Sequence, residues 1–566
     1  MQPRPWPEVP AETARVARRA FRGGSVAMRA RDELGAWYAD VDFAGAYGVR
    51  GAPGISPAQL AMVTVLQFAE NLTDRQAADA VRGRLDWKYC LGLALEDEGF
   101  DFSVLSEFRS RLVAAGLERK IFDLLLERLA GRGLVRAGGT QRTDSTFVLA
   151  RIRDLNRLEL AGETLRAALE ALAAAAPGWL AGVIDVSWQE RYGQRIDTWR
   201  LPASQAGRAE LAVRYGRDGY RLLAAARGPG APPWLGELPA VAALRQVWVQ
   251  QFYRVIDERG EKVIWRQAGD HGLPPGKTRI VSPYDLQARY SEKRGKGWLG
   301  YKVHLTETCA HPAGDHRAPG RPAAPNLITG VATTTAEVPD VAMAGPIHDS
   351  LEAAGLAPAE HAVDAGYTSA DELTAARHPG ITLLGPLQAG SSPQARTGGY
   401  TAEDFTIDWD HQQATCPQGR TSISWWDYTS NNGQEFLVAR FSQPICRACP
   451  ARAKCTTSRA GRTLTLRPRE IHEAVTTARA AQATPAWKAR YAIRAGAEAT
   501  MWQATHTTGI RRARYLGLPK TRLEHYAAAA AINLIRLNAW WTRQAPRPGP
   551  HQPPAAAQPG PNRMNQ

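Results

Sequence analysis

Three acids far apart in the chain stand in settings that could bring them to one place: Asp144, Asp364 and Glu498. Asp364 closes the short apolar run Ala362-Val363 and is followed by Ala365-Gly366-Tyr367, so it reads as a carboxylate at a strand end before a tight turn. Ser369 and Glu372 then have the spacing of a capping box, which opens a helix. Asp144 lies inside Thr140–Val148, a short stretch rich in β-branched residues that reads as a strand. A carboxylate there is disfavoured unless its face meets solvent or a metal. Glu498 follows Tyr491 and Arg494 at helical spacing, so an acid, a guanidinium and a phenol share one helix face. Three crowded carboxylates repel one another and favour a bound hard cation such as magnesium. Two such ions about 3.5–4 Å apart suit in-line displacement at a phosphodiester. Each acid also has a plain structural reading: Asp364 as a helix cap or turn residue, Asp144 on the exposed face of an edge strand, Glu498 in a surface salt-bridge face.

A second set of chemically capable residues is Cys416, Cys446, Cys449 and Cys455. Cys446 and Cys449 are separated by two residues, and Cys416-Pro417-x-Gly419 resembles a zinc-knuckle turn. Four soft thiolates suit a tetrahedral, structural Zn²⁺; the other reading is four reduced, unligated thiols. His411 reads as a surface residue, and Cys90 and Cys309 stand alone as buried thiols.

The elements that must position these groups follow in order. Residues 1–50 form an N-terminal arm of mixed character. Over 51–135 short helices are expected: Ser56-Pro57 starts one, Thr73-x-x-Gln76 a second, Ser103 a third, and Leu117–Leu129 is a fourth ending at Gly131. With exposed arginines between them they form either a helical DNA-binding domain or a plain bundle with solvated basic faces. Residues 136–400 and 465–541 form a catalytic α/β domain with a mixed sheet. A helical insertion of about 153–285 interrupts it, with helices near Leu155–Leu172, Ala206–Ala226 and Val241–Ile256. Trp188, Arg191, Tyr192, Trp199 and Arg200 there read as base-stacking residues or as core aromatics with exposed arginines. Tyr301–Thr306 alternates as a half-buried strand, and Leu327–Thr335 and 381–385 read as further strands. Residues 401–464 form a small cysteine-rich β insertion, with Asn431-Asn432-Gly433 as a hairpin turn. The tail, 542–566, is expected to be disordered.

Lys and Arg number 70 against 55 Asp and Glu, a formal charge of +15. That excess favours a polyanion as partner, most simply DNA. Arg294 and Lys296 precede one strand, and Arg511, Arg512, Arg514 and Lys520 form a basic block interleaved with aromatic residues; all are candidate DNA contacts. No run of 18 apolar residues is present, so no membrane span is expected, and a cytoplasmic, nucleoid-associated protein follows. No Walker P-loop, H-E-x-x-H or dinucleotide fingerprint is found.

Thr143-Asp144-Ser145-Thr146, Gly300–His304, Val363-Asp364-Ala365-Gly366-Tyr367 and Tyr491-x2-Arg494-x3-Glu498 resemble the signature blocks of DDE transposases from bacterial insertion sequences. The Tyr-Arg-Glu spacing is the most specific of these. The resemblance covers most of residues 50–541. It implies a ribonuclease-H-like catalytic fold, Mg²⁺ or Mn²⁺ as cofactor, and DNA as partner, both terminal inverted repeats and target DNA, with a homodimer on the DNA. It further implies that Asp144, Asp364 and Glu498 are the catalytic metal ligands, with Tyr491 and Arg494 on the DNA. The family's lysine seven residues after the Glu is Thr505 here, and Arg511, Arg512 or Lys520 are candidates to replace it. The expected activity is metal-dependent cleavage at element ends followed by strand transfer. The alternatives are a DNA endonuclease without strand transfer, or an inactive DNA-binding regulator.

Overall fold

The computed structural model describes residues 3–48, 54–258, 260–267, 269, 272–293, 295–309, 324–375, 380–387, 393–431 and 433–542. Arg294, most of the 310–325 loop and the tail beyond 542 lie outside them.

The centre is a six-stranded mixed sheet. Its strands are β1 (Thr140–Leu149), β4 (Arg289–Lys293), β5 (Lys296–Cys309), β6 (Ile328–Thr335), β7 (Glu360–Ala362) and β8 (Thr382–Leu384). The hairpin β2 (Phe252–Asp257) and β3 (Gly260–Trp265) lies in the insertion. β5 pairs antiparallel with β1, β4 and β6, whereas β7 runs parallel to both β1 and β8. This is the mixed α/β architecture expected. Tyr301, Val303 and Leu305 of β5 are buried, but so are His304 and Thr306, so both faces of the strand are covered.

Capping chemistry places the N-terminal helices. Ser56 accepts from the Gln59 amide and Pro57 occupies the first position of helix Pro57–Ala69. Thr73 and Gln76 cap helix Asp74–Gly83 reciprocally. These helices do not form a separate core. Phe43, Leu60, Leu66, Phe108 and Phe122 join Tyr301, Val303 and Ile328 of the sheet in one continuous apolar cluster. The seam is the last helix, Leu518–Trp541, whose run Ala527–Ile532 is fully buried.

The insertion has its own core around Leu165, Trp188, Tyr192, Tyr215 and Trp248. Its helix Pro239–Gln251 stops short of the expected Ile256, because Phe252-Tyr253-Arg254-Val255-Ile256 is β-branched and aromatic and pairs instead with β3. Trp188 and Tyr192 are core residues, while Trp199 is exposed.

The cysteine-rich segment contains the pair β9 (Thr406–Asp408) and β10 (Gln413–Thr415). Beside it lies an antiparallel sheet of β11 (Ser424–Thr429), β12 (Glu435–Arg440) and β13 (Thr463–Leu466). Six buried residues, among them Phe405, Phe441 and Leu464, form its small core.

The segment that carries Tyr491, Arg494 and Glu498 is not one continuous helix. Helices Arg469–Ala483, Pro485–Tyr491 and Gly496–Gln503 are separated by Thr484 and by a 3₁₀ turn over Ala492–Ala495, and a π turn follows at Ala504–Thr508. Pro485 forces the first break, since it cannot donate to the preceding turn.

Candidate active site

Register brings the first two acids together. β7 lies parallel to β1 with Arg142 opposite Ala362. Asp144 and Asp364 each lie two residues beyond that last pair, and both carboxylates come within reach of one guanidinium. Asp364 sits just past the end of β7, where the Gly366 amide donates to Asp364 Oδ1 at 2.8 Å. A side chain at position 366 would meet Asp364 Oδ1 at 2.9 Å and Asp340 Oδ2 at 3.3 Å, so glycine keeps the mouth of the site open. The Ser145 amide donates to Asp144 Oδ1, also at 2.8 Å.

Arg494 links all three acids. Its Nη2 lies 3.0 Å from Asp144 Oδ2 and 3.7 Å from Asp364 Oδ2, and its Nη1 lies 3.8 Å from Glu498 Oε1. The side chain of Arg494 is 12% exposed, that of Asp144 14%, and that of Glu498 79%. Burial pushes the Asp144 carboxyl above its usual range, against the pull of Arg494 and the Ser145 amide. Tyr491 is half-buried and stacked on Trp487 with centroids 4.8 Å apart; burial raises its phenol.

The helix bearing Glu498 is pinned to the sheet by a buried ionic cluster. Arg142 Nε donates to Glu307 Oε1 at 2.7 Å, and its Nη1 donates to the Ile493 carbonyl at 2.6 Å. Thr500 Oγ1 donates to Glu307 Oε2 at 2.7 Å, and Arg536 Nη1 does so at 2.6 Å. Burial would raise the Glu307 carboxyl, but Arg536 and Arg142 outweigh it and hold it below its usual range. Gly496 makes this approach feasible, because any Cβ there would strike the Arg142 guanidinium.

Beside the acids, across the Gly366 turn, is a layer that sequence reasoning missed. Asp340 accepts from Ser145 Oγ at 3.0 Å and pairs with Lys302 Nζ at 3.0 Å. Burial opposes its ionisation, yet Lys302, His304 and Ser145 keep its carboxyl low. His304 Nδ1 lies 2.6 Å from the Tyr367 hydroxyl, and burial pushes this histidine down to about 4, so it is neutral near pH 7. Asp340 sits in a Pro-Asp turn with no periodicity to mark it. The visible signal is on β5, where Lys302, His304 and Thr306 alternate with Tyr301, Val303 and Leu305.

The basic block has mixed placements. Arg511 Nε donates to Thr146 Oγ1 at 2.9 Å and its guanidinium lies over Phe147. Arg512 is exposed and lines a groove with Arg151, Tyr290 and Leu299. Arg514 Nη1 donates to the Leu72 carbonyl at 2.7 Å and stacks over Phe68, so it braces the N-terminal helices against the sheet. Lys520 is half-buried, and Lys296 is exposed at the tip of the β4–β5 hairpin. Thr505 donates to the Met501 carbonyl within the π turn. Three further acids lie near this part of the chain: Glu470 and Glu473 are exposed, and Glu524 is buried beneath the Arg514 amide, to which it is hydrogen-bonded at 2.9 Å.

Cys416, Cys446, Cys449 and Cys455 line one cavity of about 540 Å³. All are free thiols, and Cys455 is raised by burial and by its three neighbours, against Arg462. Gly419 is left-handed at φ +72°, and its amide donates to the Cys416 carbonyl at 2.8 Å, as a knuckle turn requires. Cys90 and Cys309 are buried, and His411 is exposed beside Asp408. Among the described residues, no three His, Cys, Asp or Glu side chains are placed to share a metal ion. At the acids, a guanidinium fills the space between the carboxylates and Glu498 reaches into solvent. At the cysteines, the thiols surround a cavity instead of closing on a point.

Two family models match the chain. Residues 29–111 match a transposase domain (DUF772), and residues 415–538 match a transposase DDE domain, which spans Tyr491, Arg494 and Glu498. These matches support a transposase role for the chain. Together they support its assignment as a DDE transposase of an insertion sequence. Comparison with curated proteins and with solved structures returned no match. No helix among the described residues is long and apolar enough to cross a membrane.

Proposed function

We propose that the protein cuts phosphodiester bonds at the ends of a mobile DNA element and joins the freed 3′-hydroxyls to target DNA, with Asp144, Asp364 and Glu498 as its catalytic acids. The observation that carries this reading is Arg494, one guanidinium in reach of all three carboxylates. A positive charge already sits where a cation is needed. The acids are hard oxygen donors that fit Mg²⁺ or Mn²⁺ once Arg494 withdraws and Glu498 turns inward. Such ions would activate the attacking oxygen and stabilise the leaving one. Arg494, freed from the acids, is then available to a DNA phosphate, for which its planar fork is suited. Asp340, Lys302 and Ser145 hold β1 and the Asp364 turn in place behind the acids. The sheet order and the acid at the end of β7 support a ribonuclease-H-like reading of the catalytic domain, with the terminal inverted repeats as its substrate and a homodimer as the acting form.

The cysteine cavity supports a structural Zn²⁺ that draws the four thiols inward, since a core of six buried residues is small for an independent module.

Asp144→Asn, Asp364→Asn and Glu498→Gln should each reduce cleavage of element-end DNA to background while leaving its binding unchanged in gel-shift assays. Normal cleavage by Glu498→Gln would remove the third acid from the site. Pre-cleaved ends that are never joined to a target plasmid would reduce the activity to that of an endonuclease.

A further inference from the structure

The three-stranded sheet of the cysteine-rich segment has two unlike faces. Register places Trp425, Leu437, Ala439, Leu464 and Leu466 on one side, where they pack with Phe405 and Phe441. On the opposite side stand Trp426, Tyr428, Phe436, Arg440, Ser424 and two threonines, Thr463 and Thr465, around the buried Val438. The small core uses none of these rings. Trp426 is 43% and Tyr428 49% exposed, and Tyr428 and Phe436 lie 6.2 Å apart with their planes 31° from parallel. Arg467 continues the row, its guanidinium 5.2 Å over the Phe436 ring.

Half-exposed aromatics at alternate positions of a sheet leave apolar ring faces in water that a partner could cover. Flat rings beside arginines and hydroxyls have one general complement: the faces of unstacked bases with their phosphates. Charge points the same way. No outward position of the three strands carries an acid. Across residues 420–467, eight Lys and Arg face two Asp and Glu. The sheet is also fastened to the helix that follows the Asp364 turn. Arg467 pairs with Asp371, and Gln434 Nε2 donates to the same carboxylate at 3.4 Å. Asp371 lies in the first turn of helix Ala370–Ala375, which Ser369 caps directly after the Asp364 turn.

We propose that the outward face of this sheet binds unpaired bases of the DNA substrate, with Trp426 and Tyr428 as stacking platforms and Arg440 on the backbone. The proposal rests on the transposase reading above, and adds that the DNA held beside the acids is partly single-stranded.

The test is fluorescence anisotropy of the full chain with two probes, a labelled dT12 strand and a blunt 30-base-pair duplex. The double variant Trp426→Ala/Tyr428→Ala should weaken dT12 binding at least about tenfold. Its duplex affinity should stay within about twofold of the parent, and Trp426→Phe should retain most of the dT12 affinity. Should the double variant fail to fold by thermal melt, Arg440→Glu at its exposed position takes its place, with the same selective loss expected. Unchanged dT12 binding would overturn the proposal. An equal loss on both probes would overturn it too, marking a general phosphate surface. A variant altered only in sedimentation would show the face to be an interface between copies of the chain and would equally overturn it. If the parent binds duplex but no dT12, this proposal fails and the transposase reading stands. If it binds neither probe, both fail.

Discussion

At the scale of single residues, the account turns on charges kept where water is scarce. Arg494 compensates Asp144 and Asp364 internally, so the protein can fold without leaving paired carboxylates unopposed. Glu524 is the opposite case. It is fully buried, its Oε1 has no hydrogen-bond partner among the described residues, and burial pushes its carboxyl up to about 8. Between its ordinary value of 4.5 and about 8, the folded protein keeps a proton that the unfolded chain releases. Stability therefore falls as pH rises across that window and is level above it. Glu524→Gln should raise the Tm by several degrees at pH 8, with the gain vanishing toward pH 4.5, as read by thermal melts in matched buffers. A gain that grew toward acid pH would contradict the burial argument. These placements show what sequence can and cannot convey at this scale. Asp144, Asp364 and Glu498 were visible because each sits in a patterned stretch. Asp340 was not, because a turn has no period to interrupt. Arg514 looked like any other member of a basic block, and only packing reveals that it braces two parts of the fold.

At the scale of elements, the question is how a helix interrupted by a 3₁₀ turn presents Glu498 to a strand more than 300 residues earlier in the chain. The answer is the buried Glu307, which holds Arg142, Thr500 and Arg536 together. Removing its charge leaves two guanidinium groups buried and uncompensated, at a cost of about 3–5 kcal/mol. Thr500→Val keeps all three charges but removes two hydrogen bonds, the one Thr500 Oγ1 donates to Glu307 and the one it accepts from Arg536 Nη2 at 2.6 Å, each about 1.5–3 kcal/mol. Thr500→Val should therefore fold, bind DNA normally and cleave it more slowly, as measured by single-turnover cleavage at saturating DNA. A parallel loss of binding would show that the cluster supports the whole domain and not the helix alone. The strands at 140–148, 301–306 and 327–335 and the helix caps at Ser56, Thr73 and Ser369 were legible from alternation and capping chemistry. The β2–β3 hairpin was not, because Val241–Ile256 is apolar enough to satisfy either period and only pairing across the turn decides.

At the scale of the molecule, cores matter more than sequence boundaries. The N-terminal helices looked like a free-standing module, but their apolar faces close on Leu523, Ala527 and Leu534 of the final helix, almost 400 residues later than the last of them. The insertion, in contrast, buries its own aromatic core. A fragment of residues 153–285 should melt cooperatively by itself, whereas residues 1–135 should not, as read by circular dichroism and calorimetry. A cooperative melt of the N-terminal fragment would restore the modular reading. Continuity of the core also gives the site its rigidity, since β1 and the last helix are parts of one packed body. The central claim, that the three acids form one cation-binding centre which Arg494 occupies in its place, is tested most directly by anomalous diffraction from crystals soaked in Mn²⁺. The account predicts a manganese peak in contact with both Asp144 and Asp364, with the Arg494 guanidinium displaced from them. Full occupancy of Mn²⁺ elsewhere, or Arg494 unmoved at a concentration that supports cleavage, would contradict it.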